Sequence, residues 1–150
     1  MSLYELIKDM NIFDEFTEDE KQMVAKMNHS VFEYKQGDHI TEEGETSTAL
    51  YLIVKGSVMV TKTRDNAKIR IAKLGPGEIF GEMSFFAKKT RHSDVTANED
   101  VTVVQMDDKF FKKANPAVRD KIKNYFIDLL ISRLDVMNES IMKISKLMRM

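Results

Sequence analysis

The chain has 150 residues, which suits one domain of ordinary size, and an apolar share of 43% that can supply one core. Its 23 basic and 24 acidic residues nearly cancel, which gives no electrostatic footprint for nucleic acid, and the lack of cysteine excludes disulfides and cysteine zinc sites. No run approaches the roughly 18 apolar residues of a membrane span, and "MSLYELIKDMNIF" lacks the apolar centre of a signal peptide, so a cytoplasmic location is the expectation.

The first forty residues read as short helices. In "FTEDEKQMVAKM", Thr17 precedes Glu20 by three positions, the signature of a capping box. Met23, Val24 and Met27 then recur at helical spacing. The middle of the chain changes period. "STALYLIVKGSVMVTKT" is rich in β-branched and aromatic residues with Gly56 as punctuation, and "AKIRIAKL" alternates through Ile69 and Ile71. "LGPGE" places Pro76 and Gly77 where a type II turn needs them. "DVTANEDVTVVQM" gives two more β-like runs split by Asn98–Asp100. Short strands with frequent turns predict an all-β sandwich or barrel. The last forty residues return to helix, first in "DDKFFKKAN". A long helix follows, with Asn115 as N-cap and Pro116 at its first position, because no proline or glycine occurs after Pro116.

Between the β-like runs lies "GEIFGEMSFFAKKTRHSDVTA", residues 77 to 97. A short helix after Gly81 exposes free backbone N–H groups, which favour an anion. Gly81 allows close backbone approach, Arg91 offers a planar fork for a phosphate, and Glu82 is an acceptor suited to hydroxyl groups. A ligand with both a phosphate and a sugar hydroxyl satisfies the pair. By themselves these residues are a weak motif, and a plain turn with one exposed arginine is the commoner reading.

The wider pattern resembles a family. "FGEMSFF" followed by "TRHSDVTA" is similar to the phosphate-binding cassette of cyclic nucleotide-binding domains. Upstream, "GDHITEEGETSTALYLIVKGSVMV" is similar to the strands that precede it, with Gly37, Gly44 and Gly56 at turn positions. "MNIFDEFTEDEKQMVAKM" and "FIDLLISRL" resemble the family's flanking helices. The resemblance implies a mainly β fold, an eight-stranded jelly-roll barrel with N-terminal helices and a long C-terminal helix. It implies one domain over 1–150: helices in 1–30, barrel in 31–107 with the cassette in 80–97, and helices in 108–150. Glu82 would accept from a ribose 2′-hydroxyl and Arg91 would pair with the cyclic phosphate. The backbone of Gly81, Met83 and Ser84 would line the cassette, and His92 and Ser93 complete the set. His92 stands where relatives have a small residue or threonine, and Ser93 where alanine is common. The missing threonine favours cyclic AMP over cyclic GMP.

A jelly roll is also the scaffold of metal-binding cupins, but His29, His39 and His92 are scattered and fit no such cluster, so neither metal nor cofactor is expected. In the last helix Ile127, Leu130, Leu134, Met137, Ile141, Ile144 and Met148 follow the a/d spacing of a coiled coil. That seam predicts a homodimer, with self-packing of the stripe as the alternative. The expectation is therefore a non-enzymatic regulatory module that senses a cyclic nucleotide. It would have no DNA-binding, membrane or catalytic segment of its own, and its output would lie in another protein, in a further portion of a longer chain, or in the dimer itself. The competing expectation is a fold of the same kind that has lost its ligand and serves as a dimerisation module.

Overall fold

Alternation of apolar residues decides the architecture between Val31 and Met106. In the computed structural model, which describes residues 2–27 and 30–149, eight strands form there: β1 (Val31–Tyr34), β2 (His39–Thr41), β3 (Leu50–Lys55), β4 (Val58–Arg64), β5 (Ala67–Leu74), β6 (Ile79–Phe80), β7 (Asp94–Ala97) and β8 (Val101–Met106). His29 lies outside the described residues. The strands make two four-stranded antiparallel sheets, ordered β1-β8-β3-β6 and β2-β7-β4-β5. The mainly β fold of eight strands with flanking helices is as expected from the sequence.

Period-two patterning places one set of side chains between the sheets. Tyr51, Ile53, Val101 and Val103 from the first sheet meet Ile40, Val58, Val95 and Ala97 from the second in one buried cluster. Leu50, Leu52, Val104 and Met106 alternate with the inner set and are also buried, so the centre of the first sheet is covered on both faces. Each such side chain contributes about 1.5–3 kcal/mol when removed from water.

Turn chemistry fixes the connections. Pro76 and Gly77 occupy a turn closed by Glu78 N–H donating to Gly75 O at 3.1 Å, and Gly77 has the positive φ (86°) that a type II turn requires. Asp65 and Asn66 both have positive φ, the pattern of a two-residue hairpin loop, and join β4 to β5. The alternation in β5 is interrupted. Val60 pairs with Ala72 and Thr61 with Arg70, so Ile71 is the extra residue of a bulge. Ile69 and Ile71 are both exposed.

Helices α1 (Leu3–Ile7) and α2 (Glu18–Ala25) precede the strands, with a 3₁₀ turn at Asn11–Phe13. Thr17 accepts from Glu20 N–H while Glu20 accepts from Thr17 N–H, the predicted capping box. Helix α3 (Glu82–Ala87) lies between β6 and β7, and α4 (Asp108–Lys113) follows β8, capped by the Asp107 side chain. These elements belong to a unit that ends at Asn115; the rest is a second unit. It consists of α5 (Pro116–Met148), a 33-residue helix starting at the predicted proline. Along it Val118, Ile122 and Phe126 are buried, whereas the seven a/d residues from Ile127 to Met148 are between 39% and 83% exposed. Among the described residues no helix is long and apolar enough to cross a membrane.

Candidate functional site

Strand β6 brings the chain to the site. Ile79 and Phe80 are buried and pair with Leu52 and Tyr51 of β3, so the chain must leave the sheet immediately afterwards. Gly81 makes that exit in the left-handed region, with φ of 87°. A Cβ there would lie 2.7 Å from Arg91 Nη1 and 2.8 Å from Ala49 O, so both conformation and space call for glycine. Phe85 N–H donates to Gly81 O at 3.1 Å, which closes the first turn of α3. The N–H groups of Glu82, Met83 and Ser84 precede that bond and have no acceptor within the helix.

Arg91 is the centre of the arrangement. The sequence alone leaves it open as an exposed turn residue, yet it is only 3% exposed. Its Nη2 donates to Ala49 O at 2.8 Å, its Nη1 to Gly81 O at 3.3 Å and its Nε to Ser47 Oγ at 3.3 Å. All three acceptors are neutral. The guanidinium carbon also lies 5.7 Å from the centre of the Tyr51 ring, within cation–π range. Tyr51 in turn stacks on Phe80, with ring centres 4.9 Å apart. Burial pushes the Arg91 pKa below its ordinary value, while Tyr51, Glu45 and Glu82 act in the opposite direction. Burial, the main cause, raises the Tyr51 pKa, so the phenol stays neutral beside the cation.

The far end of α3 is fixed separately. Phe85 packs on Phe111 of α4 with ring centres 5.0 Å apart, and Lys88 lies 3.7 Å from Asp108. Lys88 also sits over the Phe85 ring. These contacts leave the first turn of α3 as the end that faces Arg91.

The predicted residues are placed as follows. Gly81 and Arg91 are joined directly, half-buried Glu82 opens α3 beside them, and Ser84 is buried in the same turn. Met83 is exposed. His92 is exposed and Ser93 half-buried in the step from Arg91 into β7. Sequence reasoning missed Ser47, Ala49 and Tyr51, which surround the guanidinium. They lie some forty residues upstream, and no local spacing connects them to Arg91. Among the described residues no cluster of three or more His, Cys, Asp or Glu side chains is set to hold a metal.

Comparison with known proteins supplies the family. Residues 31–114, more than half of the chain, match the family model described as "Cyclic nucleotide-binding domain". The chain is 38% identical over 74 residues to the cyclic AMP receptor protein of Thermus thermophilus, covering 49% of this chain and 34% of that protein. It is 29% identical over 96 residues to the type II regulatory subunit of cAMP-dependent protein kinase from Drosophila melanogaster, covering 63% and 26% respectively. It therefore spans about a third or less of these two relatives. Among solved structures, the catabolite activator protein of Thermus thermophilus aligns with a TM-score of 0.74 at 25% identity, covering 89% of this chain and 62% of that one. With the family model matched over more than half of its length, this chain belongs to the cyclic nucleotide-binding domain family.

Proposed function

We propose that this chain is a regulatory sensor that binds a cyclic nucleotide, with cyclic AMP as the preferred ligand, and that it performs no catalysis itself. The observation that carries the reading is Arg91: a buried guanidinium whose hydrogen bonds all end on neutral oxygens, beside the first turn of α3. Removing a cation from water without an anion is costly, and a cyclic phosphate supplies the missing charge. In this reading Arg91 pairs with the phosphate. The N–H groups of the α3 first turn, from Gly81 through Met83 and Ser84, add donors, and Glu82 accepts from the ribose 2′-hydroxyl. His92 and Ser93 border the phosphate from the other side. The absence of a threonine after Arg91 supports cyclic AMP over cyclic GMP, as does similarity to a cyclic AMP receptor protein. The whole chain acts as one module, with helices in 1–30, the barrel in 31–107, the cassette in 80–97 and helices in 108–150.

Calorimetric titration with cyclic AMP, cyclic GMP and AMP tests this directly. The expected order is cyclic AMP tightest, cyclic GMP weaker and AMP weakest. No heat with either cyclic nucleotide would leave the fold as a dimerisation module without its ligand.

The exposed stripe on α5 supports a second part of the proposal, a homodimer through that helix. Three heptads of Ile, Leu and Met exposed to water are costly and marginal alone, and a second copy would bury them knob into hole. Replacing Ile141 and Ile144 together with Glu should turn a dimer into a folded monomer, as read by light scattering coupled to size exclusion. A parent chain that is monomeric at high concentration, with and without cyclic AMP, would overturn the seam. The signal would then have to pass to a different protein partner.

A further inference from the structure

The loop between β2 and β3, residues 42–49, is tied to Arg91 along its length. Arg91 exchanges backbone hydrogen bonds with it, Gly44 N–H donating to Arg91 O and Arg91 N–H to Glu45 O, both at 2.9 Å. Two further bonds, to Ser47 Oγ and Ala49 O, hold the guanidinium. The Ser47 hydroxyl has a single proton, and it is directed to Glu45 Oε2 at 3.0 Å. Ser47 therefore presents a lone pair to Arg91 Nε, and a guanidinium, a hydroxyl and a carboxylate stand in line. Hydrogen bonding to a carboxylate makes a hydroxyl a stronger acceptor. Glu45 thus reaches the buried cation through an intermediary.

We propose that Glu45 and Ser47 form an internal counter-charge relay, which holds Arg91 in place before an anion arrives and limits how tightly that anion binds. The proposal rests on the reading of the pocket as a cyclic nucleotide site. Both are positioning residues, acting through Arg91. Bond lengths indicate which contacts yield. The bond to Ala49 O is short at 2.8 Å, whereas those to Ser47 and Gly81 are long at 3.3 Å. Ala49 is the anchor that stays, and Ser47 is the contact a phosphate oxygen replaces. After that exchange the Glu45 carboxylate remains nearby and repels the phosphate. The nearness of Glu45 is also felt in the opposite sense by the Arg91 guanidinium, which it favours in the charged form.

Glu45→Gln keeps the shape of the relay and removes its charge, whereas Ser47→Ala removes the intermediary. In calorimetry at low salt, Glu45→Gln should bind cyclic AMP roughly three- to tenfold more tightly than the parent, the effect of one unit charge at an effective dielectric of about 40–80. The gain should shrink as salt is added, because only a charge effect is screened. Ser47→Ala should tighten binding by less, since the carboxylate remains. Thermal midpoints of the ligand-free variants should fall slightly, because a buried cation loses a counter-charge or a hydrogen-bond acceptor, while the backbone bonds of the loop keep it folded. Loss of loop order would weaken binding at every salt concentration, the opposite sign. If the parent binds and Glu45→Gln binds no more tightly, or if Ser47→Ala binds more weakly, the relay is overturned and the nucleotide site stands. If the parent binds no cyclic nucleotide, the site itself is refuted and the relay with it.

Discussion

Arg91, in the step from α3 to β7, and Arg64, at the tip of the β4–β5 hairpin, are the same residue type in opposite settings. Arg64 is exposed and meets Glu43 Oε1 at 2.9 Å, an ordinary surface ion pair. Arg91 is almost fully buried, and its direct acceptors are a hydroxyl and two carbonyls. An exposed arginine with a carboxylate has its charge answered and is surrounded by water. A buried one with only neutral direct acceptors bears a desolvation cost that its hydrogen bonds offset in part, and under the proposed reading a bound anion would offset more of it. The contrast is one of setting, a surface ion pair against a buried guanidinium without a direct carboxylate.

The strongest way to break the contrast is to remove both side chains in turn. Arg91→Ala should cost about 2–5 kcal/mol of nucleotide binding, the range for losing one partner of a buried charge pair, or about 30-fold to several-thousand-fold in dissociation constant. Arg91→Lys keeps the charge but loses the fork, and should fall between Ala and the parent. Arg64→Ala should leave affinity unchanged. Calorimetry on the three variants decides the matter, and an Arg91→Ala protein that binds like the parent would remove the phosphate assignment.

A smaller effect is expected from the residue that gives Arg91 its room. Gly81→Ala forces a side chain into the left-handed region, at a cost of about 1–3 kcal/mol. The added Cβ also meets Arg91 Nη1 and Ala49 O below 3 Å. Stability should therefore fall by at least that amount in denaturant titration, and binding should weaken because the guanidinium is displaced. Equal stability and affinity in Gly81→Ala would mean that the exit from β6 is looser than its geometry implies.

What was legible in the sequence was local. The Thr17–Glu20 capping box, the Pro76–Gly77 turn, the split between β7 and β8 at Asn98–Asp100 and the start of α5 at Pro116 each depend on residues within a few positions of one another. Gly81, Glu82 and Arg91 could be named together as candidates because the stretch that holds them is contiguous. The burial of Arg91 was not legible: its acceptors Ser47 and Ala49 lie 44 and 42 residues away, and antiparallel pairing rather than spacing brings them together. The bulge at Ile71 escaped for a related reason. Alternation in "AKIRIAKL" suggests one buried face, but register with β4 slips by one residue between Val60 and Thr61. A slip of one residue reverses the faces of a strand, and only the partner strand records it.

The smallest effect belongs to Arg64, and it sharpens the comparison through pH. The Arg64 hydrogen bond is the main reason that Glu43 has a pKa below the usual carboxylate range, with weaker help from the Thr63 backbone and from Lys62. A carboxylate depressed in the folded state adds stability that is present above its unfolded value, about 4.3. That stability is lost as pH falls through the lower folded value. The thermal midpoint of the parent should therefore exceed that of Arg64→Gln by a small, constant margin at neutral pH, and the margin should close below about pH 4. Solvent screens the pair, so about 1 M salt should erase the margin as well. A margin for Arg64 that widens in acid, or that survives high salt, would show that this pair is not the screened surface contact its exposure indicates, and the contrast between the two arginines would lose one of its sides.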